Sequence, residues 1–152
     1  MPKVTETGNV VPNAMADERD RTLQGLRILL VDDDLEVRQV LSEYLRGAGH
    51  IVTIAASGRE AIDVLETSTV PFDAALVDWN MAGISGRDVL EYLSENCPQT
   101  ARVLCTGMRE AEINLRNSPI ALDGLLHKPF SLRSMVKEIA RAIANSKPTW
   151  KI

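Results

Sequence analysis

Segments with the pattern of buried strands alternate five times with segments of helical period between residues 27 and 146. Strands are predicted at 27–31, 51–55, 72–77, 102–105 and 125–127, since each is a short apolar run next to polar or turn residues. Helices are predicted after each strand, where apolar residues recur three and four positions apart. This alternation predicts an α/β fold of the (βα)5 type, with a five-stranded, doubly wound parallel sheet and right-handed crossovers.

Polar residues with capping side chains mark the predicted starts of several helices. Asp34 is expected to cap the first helix and Ser131 the last. Ser57 and Glu60 have the spacing of a capping box, in which each side chain bonds the backbone N–H of the other residue. The fourth helix, at 109–116, has the weakest apolar pattern.

Five polar residues follow the predicted ends of four strands, namely Asp32, Asp33, Asp78, Thr106 and Lys128. In open parallel sheets the working site lies outside the carboxyl ends of the strands, at a switch point in strand order. We therefore expect these five side chains to meet at one edge of the sheet.

Three converging carboxylates would raise one another's pKa unless a cation neutralises them. Mg²⁺ fits, because it prefers oxygen ligands and is usually held by one or two carboxylates together with phosphate oxygens. We predict Asp33 and Asp78 as direct ligands and Asp32 as a ligand through water, with Mn²⁺ as the alternative ion. Lys128 adds a second positive charge, and Thr106 adds a hydroxyl donor for a phosphoryl oxygen. Together these groups predict phosphoryl transfer to Asp78 as a carboxylate nucleophile.

Four motifs, in order and each at a strand end, resemble the receiver domain of two-component response regulators. The resemblance covers about residues 26–145 and rests on Ile28-Leu29-Leu30-Val31-Asp32-Asp33, Leu76-Val77-Asp78-Trp79-Asn80-Met81, Val103-Leu104-Cys105-Thr106-Gly107 and His127-Lys128-Pro129-Phe130. It implies the flavodoxin-like strand order 2-1-3-4-5, which is the order described for chemotaxis receivers.

The resemblance also implies roles for single residues. Asp78 would accept a phosphoryl group from a phosphohistidine and become a 4-aspartylphosphate. Asp33, Asp78 and the backbone carbonyl of Asn80 would bind Mg²⁺. The Lys128–Pro129 bond would be cis, and Thr106 would move toward the phosphoryl group and so report it to the rest of the domain.

Several positions depart from the pattern of the family. Ala82 and Ser85 stand where a Pro and an Asp are common, and we expect this to change the stiffness of the loop after Asp78 rather than its chemistry. Leu125 stands where many receivers place an aromatic rotamer switch, so we expect the output surface to signal by a backbone shift. Gly107 and Met108 favour an aspartyl phosphate of moderate to long life, since Met108 offers no polar group to steer an attacking water.

We divide the chain into a flexible leader or linker at 1–24, a receiver domain at 25–146 and a C-terminal tail at 147–152. The net charge of −4 argues against nucleic-acid binding. The chain has neither an apolar run of membrane-spanning length nor a signal region, which predicts a cytoplasmic protein. Cys97 and Cys105 are expected to be reduced thiols, and His50 and His127 lack the spacing of metal ligands.

The expected partners are a sensor histidine kinase or a histidine phosphotransfer protein. A downstream protein would bind the face formed by the fourth helix, the fifth strand and the fifth helix, and a homodimer formed on phosphorylation is a further expectation. We expect the chain to be a switch that phosphorylates and dephosphorylates itself, and not an enzyme that turns over a diffusible substrate. If the chain is freestanding, the few residues after the last helix leave no room for an output domain.

Three alternatives stay open at this stage. Residues 23–27 resemble the linker before receivers fused to hybrid histidine kinases, so the chain is alternatively an excised receiver. Asp32 and Asp34 have the D-x-D spacing of aspartyl-phosphate phosphohydrolases, although Leu35 and Glu36 follow where those enzymes carry a hydroxyl residue. A flavin-binding electron carrier would need a phosphate loop rich in Ser, Thr and Gly, and three aspartates would repel the phosphate there.

Overall fold

The computed structural model describes residues 25–146, apart from Met108 and Ser118 and the side chains of Glu110, Ala111 and Ile113. The predictions made for the leader at 1–24, for Met108 and for the tail at 147–152 lie outside the described residues. No helix within the described part of the chain is long and apolar enough to cross a membrane.

Five strands and five helices alternate along the described chain. The strands are β1 (Arg27–Val31), β2 (Ile51–Ala55), β3 (Ala74–Asp78), β4 (Ala101–Thr106) and β5 (Gly124–His127). The helices are α1 (Leu35–Gly47), α2 (Gly58–Thr67), α3 (Gly86–Asn96), α4 (Arg109–Asn117) and α5 (Leu132–Ser146). The strands form one parallel sheet in the order β2-β1-β3-β4-β5, which confirms the predicted (βα)5 class and the order 2-1-3-4-5.

The core lies on both faces of the sheet, because successive side chains of a strand point to opposite faces. In β1, Ile28 and Leu30 pack on one side with residues of α1 and α5, such as Leu45. Leu29 and Val31 pack on the other side with residues of α2 and α3. Burial on both faces explains why β1 is a continuous apolar run rather than an alternating one.

The capping predictions are confirmed in part. The Asp34 carboxylate accepts hydrogen bonds from the Glu36 and Val37 backbone N–H groups at 2.9 and 3.2 Å, so it caps α1 as predicted. Ser57 accepts from the Glu60 N–H at 3.1 Å, but the Glu60 carboxylate accepts from Ala56 rather than from Ser57. The predicted reciprocal box is therefore wrong in one of its two bonds, because the chain before α2 brings a different N–H within reach of Glu60.

A complete capping box occurs instead at the start of α3. The Ser85 hydroxyl accepts from the Asp88 N–H at 3.2 Å, and the Asp88 carboxylate accepts from the Ser85 N–H at 3.1 Å. Ser131 behaves as predicted, since its hydroxyl accepts from the Ser134 N–H at 3.0 Å. Ser85, which departs from the family pattern, thus defines where α3 begins.

The predicted start of the third strand is two residues too early. Phe72 is buried, yet β3 begins at Ala74. The intervening residue, Asp73, uses its carboxylate to accept a hydrogen bond from the Arg27 backbone N–H at 2.8 Å. The apolar side chain of Phe72 suggested a strand residue. An apolar, buried side chain does not by itself place a residue in the hydrogen-bonded ladder of a sheet.

Candidate functional site

The carboxyl ends of β1, β3, β4 and β5 meet at one edge of the sheet, as the sequence predicted. They surround a cavity of about 320 Å³ that is open to solvent. Two of the residues expected just beyond strand ends, Asp78 and Thr106, are instead the last residues of β3 and β4. The cavity is lined by Asp32, Asp33, Asp34, Asp78, Asn80, Thr106, Gly107 and Lys128, which include every residue proposed for phosphoryl and metal binding.

Asp78 and Lys128 form the central contact of the cavity. The Lys128 ammonium donates a hydrogen bond to Asp78 Oδ1 at 3.0 Å and lies 3.5 Å from Asp32 Oδ2. Both carboxylates are buried, with only 6% of Asp78 and 3% of Asp32 exposed. One ammonium group therefore faces two buried carboxylates, which leaves this part of the site with excess negative charge.

Asp32 is held by partners on all of its polar groups. Its N–H donates to the Ala55 carbonyl at 3.2 Å, and its Oδ1 accepts from the Asp34 N–H at 2.9 Å. Its backbone carbonyl accepts from Arg38 Nη1 at 2.9 Å, and its Oδ2 faces Lys128. These bonds fix both the backbone and the side chain of Asp32 beside Asp78.

Asp33 is exposed, whereas Asp32 and Asp78 are buried. One carboxylate oxygen from each of Asp32, Asp33 and Asp78 lies within 4.8 Å of the other two. No described residue donates a hydrogen bond to the Asp33 carboxylate. The acidic cluster thus contains one carboxylate that is open to a ligand from solvent.

The electrostatics of the pair Asp78 and Lys128 follow from burial and proximity. Burial raises the pKa of Asp78, and the negative charges of Asp32 and Asp33 add to the rise, while the hydrogen bond from Lys128 opposes it. Burial by itself would lower the pKa of Lys128, but the hydrogen bond and the charges of Asp78 and Asp32 outweigh it and raise that pKa. The Lys128 ammonium is therefore retained at neutral pH, whereas the ionised form of Asp78 is disfavoured.

The remaining predicted residues lie around the same cavity. Thr106 is buried at the end of β4, next to the exposed Gly107. Asn80 is exposed and lines the cavity in the loop after β3. The Lys128–Pro129 peptide bond is cis, as the resemblance implied.

Gly86 brings the start of α3 against the end of β3, a feature that the sequence pattern did not reveal. A Cβ atom at this position would collide with the Asp78 backbone oxygen and would lie 2.8 Å from Trp79 Cα. The Gly86 N–H donates to the Trp79 carbonyl at 3.3 Å. A side chain at position 86 would displace the backbone at Asp78 and Trp79, so only glycine is compatible with this arrangement.

Leu125 lies outside the cavity, on the edge strand β5, and 37% of it is exposed. Its backbone N–H donates to Glu138 Oε2 of α5 at 2.8 Å. Glu138 is in turn bound by the Arg141 guanidinium, and this hydrogen bond lowers the pKa of Glu138. β5 is therefore fastened to α5 through a backbone N–H, a contact that the Leu125 side chain does not predict.

Among the described residues, the group of possible metal ligands contains neither cysteine and neither histidine, although Cys105 pairs with Asp78 in the sheet. Cys97 and Cys105 are free thiols, and burial raises the pKa of both. His50 accepts a hydrogen bond from the Leu26 N–H at 3.3 Å, and His127 Nδ1 lies 3.7 Å from a carboxylate oxygen of Glu112.

Comparison with known proteins decides the family. The sequence model of the family described as the response regulator receiver domain matches residues 28–140 of the chain. The chain belongs to the response regulator receiver family. This receiver is thus a domain of two-component response regulators, a family of signalling switches.

Curated relatives resemble the receiver over only part of their own length. The transcriptional regulatory protein CpxR of Escherichia coli K12 is 32% identical over 120 residues, which are 79% of this chain and 50% of CpxR. Response regulator RppA of Synechocystis is 25% identical over 126 residues, which are 83% of this chain and 53% of RppA. The receiver thus spans about half the length of these relatives.

Solved structures match the receiver over nearly their whole length. The CheY-like receiver domain protein of Methanospirillum hungatei has a TM-score of 0.71 at 26% identity and covers 81% of this chain and 97% of its own. The chemotaxis response regulator CheY4 of Vibrio cholerae has a TM-score of 0.69 at 27% identity and covers 78% of this chain and 99% of its own.

Proposed function

We propose that this receiver accepts a phosphoryl group on the carboxylate of Asp78. The donor would be a phosphohistidine on a sensor histidine kinase or on a histidine phosphotransfer protein, and the transfer would depend on Mg²⁺. The observation that carries the proposal is the placement of Asp78 Oδ1 at 3.0 Å from the Lys128 ammonium, inside an open cavity with two further carboxylates.

The chemistry of the donor set fits a divalent cation. The oxygens of three carboxylates lie within 4.8 Å of one another, and the Lys128 ammonium contacts two of these carboxylates, Asp32 and Asp78. Oxygen-rich sites of this kind suit Mg²⁺. We assign Asp33, Asp78 and the Asn80 backbone carbonyl as direct ligands and Asp32 as a ligand through water, with Mn²⁺ as a substitute. When bound, the ion would neutralise negative charge on the phosphoryl group and on Asp78.

In the proposed transfer, a carboxylate oxygen of Asp78 attacks the phosphorus atom. The P–O bond to Asp78 forms as the P–N bond to the donor histidine breaks, and the imidazole leaves with that electron pair and takes a proton. The Lys128 ammonium faces the developing acyl phosphate, and the Thr106 hydroxyl donates to a phosphoryl oxygen. No further co-reactant is needed, because the bond broken supplies the group transferred.

The proposed readout passes through α4, β5 and α5. Thr106 ends β4 and pairs in register with His127 of β5, so a displacement of Thr106 toward the phosphoryl group would be felt along β5. We propose that a downstream protein binds this face and that phosphorylation favours a homodimer through it. Direct binding of nucleic acid by this domain is not proposed, and the cytoplasm is the proposed location.

The test is phosphorylation with a small acyl phosphate and Mg²⁺, followed by intact-mass measurement. We expect one phosphoryl group on the wild-type chain and none on Asp78→Asn. Asp73→Asn is the matched control, since it changes the same residue type at the opposite end of β3 and should be labelled like the wild type. Equal labelling of Asp78→Asn would refute the proposal, and labelling that persists in excess chelator would refute the role of Mg²⁺.

The lifetime of the aspartyl phosphate is a separate prediction. We propose a moderate to long life, because Met108, two residues after Thr106, is an apolar residue type with no group to steer an attacking water. Decay of the mass-labelled species over minutes or longer is expected, and decay within seconds would contradict it.

Two alternatives have their own readouts. A phosphohydrolase of the aspartyl-phosphate type would turn over a small phosphate ester, and we expect no turnover. A cyclic di-GMP phosphodiesterase of Thermotoga maritima is 28% identical, but the match covers only 32% of that protein. Whether the receiver acts alone or within a hybrid histidine kinase is decided by which longer polypeptide, if any, contains it.

A further inference from the structure

Arg38 is the one basic side chain of α1 that reaches back to the acidic loop. It lies one turn into the helix, where its own N–H donates to the Asp34 carbonyl at 3.0 Å. Its Nη1 donates to the backbone carbonyl of Asp32 at 2.9 Å and is partly buried there. The guanidinium thus contacts the peptide that joins Asp32 to Asp33, rather than either carboxylate.

The peptide that Arg38 contacts leads directly into Asp33. The Asp32 side chain is held by the Asp34 N–H and faces Lys128, whereas no described residue donates to the Asp33 carboxylate. The aim of Asp33 is therefore set by the orientation of its own backbone, which begins at the peptide that Arg38 holds. A planar peptide has no internal freedom, so fixing its carbonyl fixes where the next residue starts.

We propose that Arg38 is a positioning residue for divalent cation binding, which orients the Asp32–Asp33 peptide so that both carboxylates address one ion. This inference rests on the proposed Mg²⁺ site. In this inference Arg38 raises the affinity for the cation. Its positive charge by itself would lower that affinity, because like charges repel.

The two effects can be separated by the sign of the change. If the guanidinium acts only through its charge, Arg38→Met strengthens cation binding by removing repulsion. If it acts by orientation, the same substitution weakens binding, because the Asp33 carboxylate loses its fixed direction. Outer-shell partners of metal ligands typically contribute 10–100-fold in affinity, and we expect a loss of about 10-fold here.

Arg46 offers a matched control on the same helix. Its Nη2 donates to the Val52 backbone carbonyl at 3.0 Å, so it is also an arginine bound to a carbonyl. It lies about 12 Å further along the helix axis, beyond the Debye length of about 8–10 Å at ordinary salt. Arg46→Met therefore removes the same charge and the same kind of hydrogen bond without touching the acidic loop.

The choice of ion gives a second signature. Mg²⁺ demands near-ideal octahedral geometry, whereas Ca²⁺ accepts flexible coordination. A misaimed Asp33 should therefore weaken Mg²⁺ binding more than Ca²⁺ binding, while a change of charge alone moves both ions in the same direction and to a similar extent. We expect the loss for Ca²⁺ in Arg38→Met to stay below about threefold, a smaller change than for Mg²⁺.

The experiment is calorimetric titration of the whole chain with Mg²⁺ and with Ca²⁺, for wild type, Arg38→Met, Arg38→Lys and Arg46→Met. We expect Arg38→Met to lose Mg²⁺ affinity and Mg²⁺ preference, Arg38→Lys to recover part of both, and Arg46→Met to match the wild type. Equal or tighter Mg²⁺ binding by Arg38→Met, or equal losses for the two ions, would overturn the inference. If Arg38→Met does not fold, the ratio of the two affinities in Arg38→Lys decides in the same way.

Failure of the proposed function has a different outcome in this experiment. If the wild-type receiver binds no Mg²⁺, the metal site itself is wrong. If the wild type binds Mg²⁺ and the Arg38 variants bind it equally well, only the positioning role is wrong. Labelling of Asp78 by a phosphodonor at saturating Mg²⁺ is measured separately, so the phosphoryl transfer is tested apart from the positioning role of Arg38.

Discussion

Aspartates stand at both ends of the sheet, but the two sets have opposite surroundings. At the amino end, the Asp73 carboxylate accepts from the Arg27 backbone N–H at 2.8 Å, and the Asp123 carboxylate accepts from the Arg102 N–H at 2.9 Å. In each case the backbone N–H of the aspartate donates to the carbonyl of the same arginine. At the carboxyl end, three carboxylates lie together, and the Lys128 ammonium contacts two of them.

The amino-end contacts are the same clamp used twice. Each aspartate immediately precedes a strand, and each arginine lies at the start of the neighbouring strand. The Arg102 guanidinium also lies 3.6 Å from Asp123 Oδ2 and donates to the Ala121 carbonyl at 3.0 Å. These aspartates therefore complete backbone pairing where the ladder begins, which is a structural role.

The difference lies in the donors that the fold supplies. The carboxylates of Asp73 and Asp123 each accept a strand N–H, and Asp123 also lies beside the Arg102 guanidinium, so these acids already have hydrogen-bonding or charged partners. Carboxylates that are brought together with one ammonium group remain under-neutralised, and this favours a cation or a phosphoryl group with its metal. Whether an aspartate beside a strand is structural or functional thus depends on the hydrogen-bond donors and charges that surround its carboxylate.

The largest expected effect concerns the exposed carboxylate. Asp33→Asn should weaken Mg²⁺ binding by more than about 100-fold, since a direct ligand matters more than the outer-shell partners that contribute 10–100-fold. Asp73→Asn should leave the affinity unchanged. Calorimetric titration measures both, and a similar loss in the two variants would erase the distinction between the ends of the sheet.

The next effect is on stability at the amino end. Asp123→Ala should lower the free energy of unfolding by about 2–3 kcal/mol, because it leaves the buried Arg102 without its carboxylate and one strand N–H unpaired. Urea denaturation measures the change. Asp63→Ala is the control, since its exposed pair with Arg59 at 3.6 Å should contribute less than about 0.5 kcal/mol. Equal effects would argue against the clamp.

A smaller effect of opposite sign is expected at the carboxyl end. The pKa of Asp78 is raised even with Lys128 beside it, so the fold disfavours the ionised form at neutral pH. Asp78→Asn should therefore stabilise the metal-free domain, because a neutral amide avoids the cost of burying a charged carboxylate. Urea denaturation without metal measures the change. Added Mg²⁺ should reduce or reverse this difference in the free energy of unfolding between Asp78→Asn and the wild type. A destabilised metal-free variant would mean that the contact with Lys128 dominates.

The smallest effect concerns His50, near the amino end of β1. Burial lowers the pKa of His50, while the charge of Asp73 opposes this. The unfolded chain, with a pKa near 6.5, then binds a proton that the folded chain resists, so stability is full above about pH 6.5 and falls as the pH drops below it.

His50→Gln should flatten this part of the stability curve. His127→Gln, which removes an exposed imidazole from β5, should leave the curve unchanged. Denaturation curves measured between pH 5 and pH 7.5 test both variants. A slope that survives in His50→Gln would assign the pH dependence to another group.

Local patterns were sufficient for most of the fold. The alternation of apolar runs and helical periods predicted every strand and helix, and the resemblance implied the strand order that the structure has. Asp34 and Ser131 were predicted as caps because a cap bonds a backbone group only two or three residues away. The errors are of a different kind. Glu60 bonds Ala56, and Phe72 lies outside β3, because small displacements of the backbone decide such contacts.

The sequence by itself determined that five polar side chains stand at or just beyond strand ends and that a parallel sheet brings them to one edge. Only the tertiary structure decided which aspartates, at either end of the sheet, accept hydrogen bonds from distant residues. Asp73 and Asp123 also stand beside strands, and their carboxylates accept hydrogen bonds from residues 46 and 21 positions away. The contacts of Arg38 with Asp32 and of Glu138 with Leu125 are also set by packing. Periodicity reports which face of an element is buried, but the partner of a polar group depends on which distant backbone the fold places within about 3 Å.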